Sequence, residues 1–174
     1  MLTAAATVTD IGFYGSAILV LCGAAADYYY SNDDGATWQQ PVTASTLNTP
    51  RYMAVSSNVP NHGIVLLAYL PNILRTSSQL AQVSPVIGPA TRVHDDNVNI
   101  TGIDLVFGQI VVYKTNGVFL VDLAAGTEEP LIDAGQSSFD ATRAASRFWP
   151  GANSLFFRRG AQMYRFSGDR KSVV

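Results

Sequence analysis

Four short apolar runs recur along this chain at a nearly constant interval, and that interval restricts the available folds more than any other feature. The runs are Ile18 to Leu21 (ILVL), Ile64 to Leu67 (IVLL), Ile110 to Tyr113 (IVVY) and Ser154 to Phe157 (SLFF), so their first residues are 46, 46 and 44 positions apart. Self-similarity at a period of roughly 20 to 50 residues marks a repeat architecture, in which no unit buries its apolar face alone and neighbours must stack. Runs this short, bounded by turn residues, suit buried strands better than helices. A turn pair precedes each run: Tyr14-Gly15, Asn61-His62, Phe107-Gly108 and Pro150-Gly151.

The flanks repeat as well. After each run comes a segment rich in aromatic or branched residues, at Asp27 to Ser31, Asn72 to Thr76, Gly117 to Asp122 and Gln162 to Ser167, and such residues fit a pleated surface. A further strand is expected before the turns, at Tyr52 to Ser56, Ile100 to Phe107 and Ala144 to Trp149. In the second of these, Ile103, Leu105 and Phe107 alternate with Asp104 and Val106 as in a half-buried strand. Outer strands are expected at Trp38 to Val42, Gln82 to Ile87 and Glu129 to Asp133. Four strands per repeat of this length match the blade of a β-propeller.

The expected fold is therefore all-β: a β-propeller or partial propeller of about four four-stranded blades, at approximately 7–45, 50–90, 98–135 and 141–174. Together they would form a single propeller domain or a segment of one. The last unit has only Lys171 to Val174 for its outer strand, and Leu2 to Val8 could supply the missing one by closing the ring. Closure of four blades is the less expected arrangement; an arc whose end blades associate with other chains is the more expected one.

Helical readings fail because no apolar stripe at helical spacing is sustained for three turns, while 14 glycines and 8 prolines punctuate the chain. Charged residues are only 14% of the total, against roughly 25% in typical globular domains, so small polar residues must cover much of the surface. A single cysteine, Cys22, excludes an intramolecular disulfide and is expected in a buried strand. The apolar segment Ser16 to Ala26 is too short to span a membrane, and no basic residue precedes it, since the first is Arg51. No signal peptide is visible.

One local motif is sharper than the rest. Ser31-Asn32-Asp33-Asp34-Gly35-Ala36-Thr37-Trp38 resembles the Asp-box, S-x-D-x-G-x-T-W, of BNR-repeat and sialidase-like propellers. The pattern has the logic of a tight hairpin, with Asp33 accepting hydrogen bonds from buried turn amides, Gly35 taking a positive φ, and Thr37 and Trp38 opening the outer strand. In proteins with this motif the box lies at the blade periphery, so the resemblance implies a structural role. Thr76 to Gln79 and Asp122 to Thr127 occupy the equivalent turns without the full pattern. Lys114-Thr115-Asn116-Gly117 is similar to hairpins in propellers of phage tails and related surface proteins, and Asn116-Gly117 predicts a type I′ turn.

Membership of the sialidases would imply an arginine triad, a Tyr-Glu nucleophilic pair and an aspartic acid/base. The sequence departs from that pattern: Thr49-Pro50-Arg51-Tyr52 is the nearest match to the arginine motif, in the wrong order, and the only glutamates are Glu128 and Glu129, beside Pro130. His94-Asp95-Asp96 has cation-binding chemistry but sits in an acidic loop of the kind that is usually solvated. No G-x-S-x-G elbow or glycine-rich phosphate loop occurs. No catalytic residue, metal site or cofactor is expected.

Charge is distributed unevenly despite a net value of −2. The first 50 residues hold four acids and no Lys or Arg, whereas residues 139–174 hold seven bases and two acids. Arg143, Arg147, Arg158 and Arg159 interleave there with Trp149 and other aromatics and form the candidate binding set. The ligand classes that fit a basic aromatic surface are a protein partner or a glycan, with nucleic acid the weaker option. The expected function is a non-enzymatic propeller module with a structural or recognition role in an extracellular or virion assembly, associating head to tail with a second copy or with neighbouring chains. The alternative is a carbohydrate-active or glycan-binding protein of the Asp-box type.

Overall fold

The computed structural model describes residues 7–14, 16–22, 28–40, 50–55, 65–69, 72–77, 87–93, 98–106, 109–133, 146–149, 154–159, 162–167 and 171–173. Every regular element among them is a strand, so no helix of the described residues is long and apolar enough to cross a membrane. The strands form four antiparallel meanders in which sequence neighbours pair. The first sheet is β1 (Val8–Tyr14), β2 (Ala17–Cys22) and β3 (Tyr28–Ser31), and the second is β4 (Tyr52–Val55), β5 (Val65–Tyr69), β6 (Ile73–Ser77) and β7 (Thr91–Arg92). The third comprises β8 (Ile100–Val106), β9 (Gln109–Lys114), β10 (Gly117–Asp122) and β11 (Thr127–Asp133). The fourth comprises β12 (Ser146–Trp149), β13 (Ser154–Arg159), β14 (Gln162–Phe166) and β15 (Lys171–Val173).

All four apolar runs fall on the second strand of a sheet, β2, β5, β9 and β13, although Ile64 lies outside the described residues. A second strand is hydrogen-bonded on both edges, and in β2 five of six residues are also buried, which explains why it is continuously apolar rather than alternating. The repeat extends to irregularities. A β-bulge interrupts pairing between Val8 and Asp10 in β1 and between Ile100 and Gly102 in β8, at Thr9 and Thr101, two steps of 46 apart.

The chain divides into two compact units, Met1–Arg92 and Val93–Val174. In the first, Leu19 and Leu21 of β2, Tyr28 and Tyr30 of β3, Met53 of β4 and Leu67 and Tyr69 of β5 form one buried cluster. Strand β1 approaches β4 closely: a Cβ on Gly12 would come within 2.6 Å of Met53 Sδ, and Asp10 Oδ2 accepts the Met53 amide at 2.9 Å. In the second unit Val106, Val111, Tyr113, Val118 and Leu131 of the third sheet pack with Leu155 and Phe166 of the fourth. Leu131 reaches this cluster because β11 bulges beside it, where pairing passes from Val118↔Ile132 to Phe119↔Pro130.

Several expectations need correction. The alternation expected in β8 is absent, because Ile103 is fully buried and Val106 is buried too, while Asp104 keeps a polar role by accepting the Tyr113 hydroxyl at 3.0 Å. Both faces of that sheet carry buried side chains, so it has no polar side to mark. The expected outer strand Trp38 to Val42 reduces, among the described residues, to a single bridge in which Tyr30 and Gln39 exchange two 2.9 Å backbone hydrogen bonds. Of the expected outer strand Gln82 to Ile87 only Ile87 lies among the described residues, where it bridges to Ser77, and the described outer strand of the second sheet is β7. Asn116-Gly117 does not form a type I′ turn: Gly117 begins β10, and positive φ among the described residues occurs only at Asp34, Gly35 and Gly126. The outer strand expected at Glu129 to Asp133 is part of β11, which also holds Glu128. The short outer strand expected at the end of the chain is β15, three residues long. Val8 belongs to β1 and residues 1–6 lie outside the described set, as do His62 and His94-Asp95-Asp96.

Cys22 lies at the end of β2, 2% exposed, and burial pushes its thiol pKa up. It behaves as a small apolar residue of the sheet.

Candidate functional site

The turn after β3 is built from its own side chains. Ser31 is buried at the end of the strand, its hydroxyl accepts the Gly35 amide at 2.8 Å, and it donates to Asp33 Oδ1 at 2.7 Å. Asp33 then accepts the Thr37 amide at 2.8 Å and the Thr37 hydroxyl through its other oxygen. Asp34 and Gly35 take φ values of 54° and 88°, and Gly35 is the residue for which that conformation carries no Cβ penalty. Space is not the constraint there, since a Cβ on Gly35 would sit at an ordinary 3.7 Å from Trp38 Cζ2. Trp38 is half-buried and precedes the Gln39 bridge. One expectation changes: Asp33 and the Thr37 amide it holds are exposed rather than buried.

These hydrogen bonds favour the ionised carboxylate and lower the Asp33 pKa from 3.8 to about 2, the Thr37 hydroxyl being the largest cause. A depressed folded-state pKa stabilises the fold fully above the unfolded value of 3.8, and this contribution is lost as pH falls towards 2. Solvent screening keeps it small. Asp33→Asn should lower the melting temperature by a few degrees at neutral pH, and the gap to the wild type should shrink as pH drops through that window. Melting curves between pH 2 and 7 check this; a gap that does not depend on pH would refute the carboxylate's role.

The candidate binding set lies on the fourth sheet, where the backbone register assigns faces even for residues whose side chains lie outside the described set. Pairs Arg147↔Phe156, Trp149↔Ser154, Phe156↔Arg165 and Arg158↔Met163 put Arg147, Trp149, Arg158 and Arg165 on one face. Arg159 pairs with Gln162 and falls on the opposite face, with Leu155 and Phe166 of the buried cluster, while Arg143 lies outside the described residues. Within the described side chains of the basic face, Met163 is 44% exposed, Arg165 is exposed, and Phe156 is half-buried. The Arg165 Nε donates to the buried Ser154 hydroxyl at 2.8 Å, which orients its guanidinium on the sheet. Sequence reading omitted Arg165 and Met163 because only the register shows which face they share with Arg147 and Arg158.

A concavity of about 560 Å³ opens in the third sheet beside the β10 to β11 hairpin, among Gln109, Leu120, Asp122, Thr127 and Glu129. Asp122 is committed to its own turn, accepting the Ala124 and Ala125 amides at 2.8 and 3.0 Å. Among the described residues no group of three or more His, Cys, Asp or Glu is placed to hold a metal ion. Arg51, the residue nearest to the sialidase arginine motif, is placed by its backbone, whose amide donates to Ala68 O at 2.8 Å.

No family model matches the sequence, and no curated protein does. Solved structures do match the fold. The chain is similar to two structures of the extracellular domain of BT4673 from B. thetaiotaomicron, at 16% identity with a TM-score of 0.65 and at 13% identity with a TM-score of 0.51. The match covers 95% and 99% of this chain but only 22% and 28% of the neighbours, so the chain spans about a quarter of their length. With four repeating antiparallel meanders and this likeness, the chain has an all-β fold of the partial β-propeller type.

Proposed function

We propose that this chain is a non-enzymatic propeller module that recognises a protein partner through the basic face of its fourth sheet, within an extracellular or virion-surface assembly. In this reading the blades are approximately 7–45, 50–90, 98–135 and 141–174, with β7 just after the second of these ranges. The observation that carries the reading is the gathering of Arg147, Trp149, Arg158 and Arg165 on one sheet face with exposed Met163. Aromatic, Met and Arg side chains are the types enriched at protein interfaces. The low overall charge, −2, favours a protein over a nucleic acid. Likeness to the extracellular domains supports the setting.

A glycan ligand is the second reading, favoured by the Ser31 to Trp38 turn, whose hydrogen bonds support the Asp-box likeness. A displayed peptide library panned against the chain is expected to yield acidic, aromatic sequences whose binding weakens with salt and with Arg158→Ser combined with Arg165→Ser. A glycan array run alongside a fluorogenic sialoside assay separates the readings. Sialoside turnover, or glycan capture with no peptide enrichment, would overturn the protein-binding proposal.

A further inference from the structure

Two places in the chain set an aspartate or asparagine immediately before a glycine, Asp34-Gly35 and Asn116-Gly117. At such a pair the glycine nitrogen can attack the preceding side-chain Cγ and close a cyclic imide, because a residue without a Cβ leaves that approach open. The structure treats the two pairs differently. Gly117 is buried at the start of β10, in register with Lys114 of β9 and Asp133 of β11, so ladders on both sides hold its backbone. Asp34 is exposed and Gly35 half-buried, in a turn outside any ladder. Among the described residues no hydrogen bond or ion pair engages the Asp34 carboxylate.

The attacking atom, by contrast, is held. The Gly35 amide donates to the Ser31 hydroxyl at 2.8 Å. Ser31 is 1% exposed and donates in turn to Asp33 Oδ1 at 2.7 Å, so the acceptor is itself fixed. To attack, the Gly35 nitrogen must give up its proton and turn towards Asp34 Cγ, and this hydrogen bond opposes both.

We propose that Asp34-Gly35 is a site of spontaneous isoaspartate formation in this chain, with the Ser31 hydroxyl as the group that restrains it. The Gly35 nitrogen loses its proton and bonds to Asp34 Cγ, the Cγ–OH bond of the protonated carboxyl breaks, and water leaves. Water then opens the imide. Cleavage at Cγ returns aspartate, whereas cleavage at the Asp34 main-chain carbonyl leaves the chain running through Cγ as isoaspartate. No other reactant is consumed. The product adds a methylene to the main chain between Asp33 and Thr37, which are joined by a 2.8 Å hydrogen bond, and so loosens the turn that leads to the Gln39 bridge.

Incubation of the folded protein in mildly acidic buffer tests this, with isoaspartate located by peptide mapping and electron-transfer fragmentation. The wild type is compared with Ser31→Ala and Thr37→Val, and melting curves verify that each is folded. Thr37→Val removes a hydrogen bond to Asp33 but keeps the Gly35 contact with Ser31, so it controls for general loosening of the turn. Isoaspartate should accumulate at Asp34, at least about fivefold faster in Ser31→Ala and at close to the wild-type rate in Thr37→Val. Unfolding the wild type in urea should accelerate the reaction by at least a similar factor, a measurement that needs no variant. Asp34→Asn gives the turn the same pair as Asn116-Gly117, and in Asp34→Asn combined with Ser31→Ala ammonia should be lost at position 34 before Asn116. Absence of isoaspartate at Asp34, equal rates in the wild type and Ser31→Ala, equal acceleration by Thr37→Val, no effect of urea, or earlier reaction at Asn116 in the double variant would each overturn the proposal.

Discussion

Leu67→Ala is expected to destabilise the first unit by about 2 to 5 kcal/mol, one of the two largest effects of any single substitution considered. Leu67 is 0% exposed on β5, paired with Met53 on one side and Arg75 on the other, within the cluster that includes Leu19, Leu21, Tyr28 and Tyr30. Truncation removes the transfer free energy of three carbons and leaves a cavity. The strand cannot move in to fill it, because the ladders to β4 and β6 hold its backbone on both edges. The cost should therefore lie above the transfer term alone. Denaturant unfolding measures it; a change below about 1 kcal/mol would mean that the second apolar run is not a core strand.

The second large effect is at Lys114, which is 0% exposed at the end of β9, with its ammonium donating to Val93 O at 2.7 Å. Lys114→Ala loses both a long buried stem and that donor, and is expected to cost about 2 to 5 kcal/mol. Lys114→Met keeps most of the volume but leaves the Val93 carbonyl without its donor, for about 1 to 3 kcal/mol. Releasing a buried ammonium from its desolvation opposes this loss and keeps the Met variant at the lower figure. Equal stability of the wild type and Lys114→Met would contradict the account of the amine as a structural donor.

Lys114 also illustrates what the sequence conceals. It stands two periods after Cys22, and a lysine following an apolar run reads as the solvated end of a strand, yet here it is buried. The second strands were legible because pairing on both edges and burial favour an apolar run in each, with polar residues such as Lys114 and Ser154 falling at the strand ends. Outer strands were legible only in part: Glu129 to Asp133 lies within β11, at the edge of the third sheet. With one paired edge they can be as short as β7 or as slight as the Gln39 bridge, and Trp38 to Val42 carries no stronger pattern than a loop.

The candidate site shows the same division. Counting charges locates a basic segment, but a shift of one residue turns a strand over, so only the register puts Arg158 with Arg147 and sends Arg159 to the other face. The exposure of Val8, Ile11 and Phe13 on β1 was equally hidden, because they look in sequence like the better covered Ile100, Ile103 and Leu105. Exposure is a property of what lies next to a sheet, and no local pattern encodes it. The turn at Ser31 to Trp38 was legible in detail because its hydrogen bonds are local, spanning four residues from Asp33 to Thr37.

Amide hydrogen exchange followed by peptide mass spectrometry tests the central claim, four repeating antiparallel sheets, most directly. Exchange is slowest where amides are paired and buried. The account predicts four maxima of protection, at 17–22, 65–69, 109–114 and 154–159, separated by about one repeat and flanked by faster exchange at β1, β7 and β15. Uniformly fast exchange, or protection centred between these strands, would contradict it.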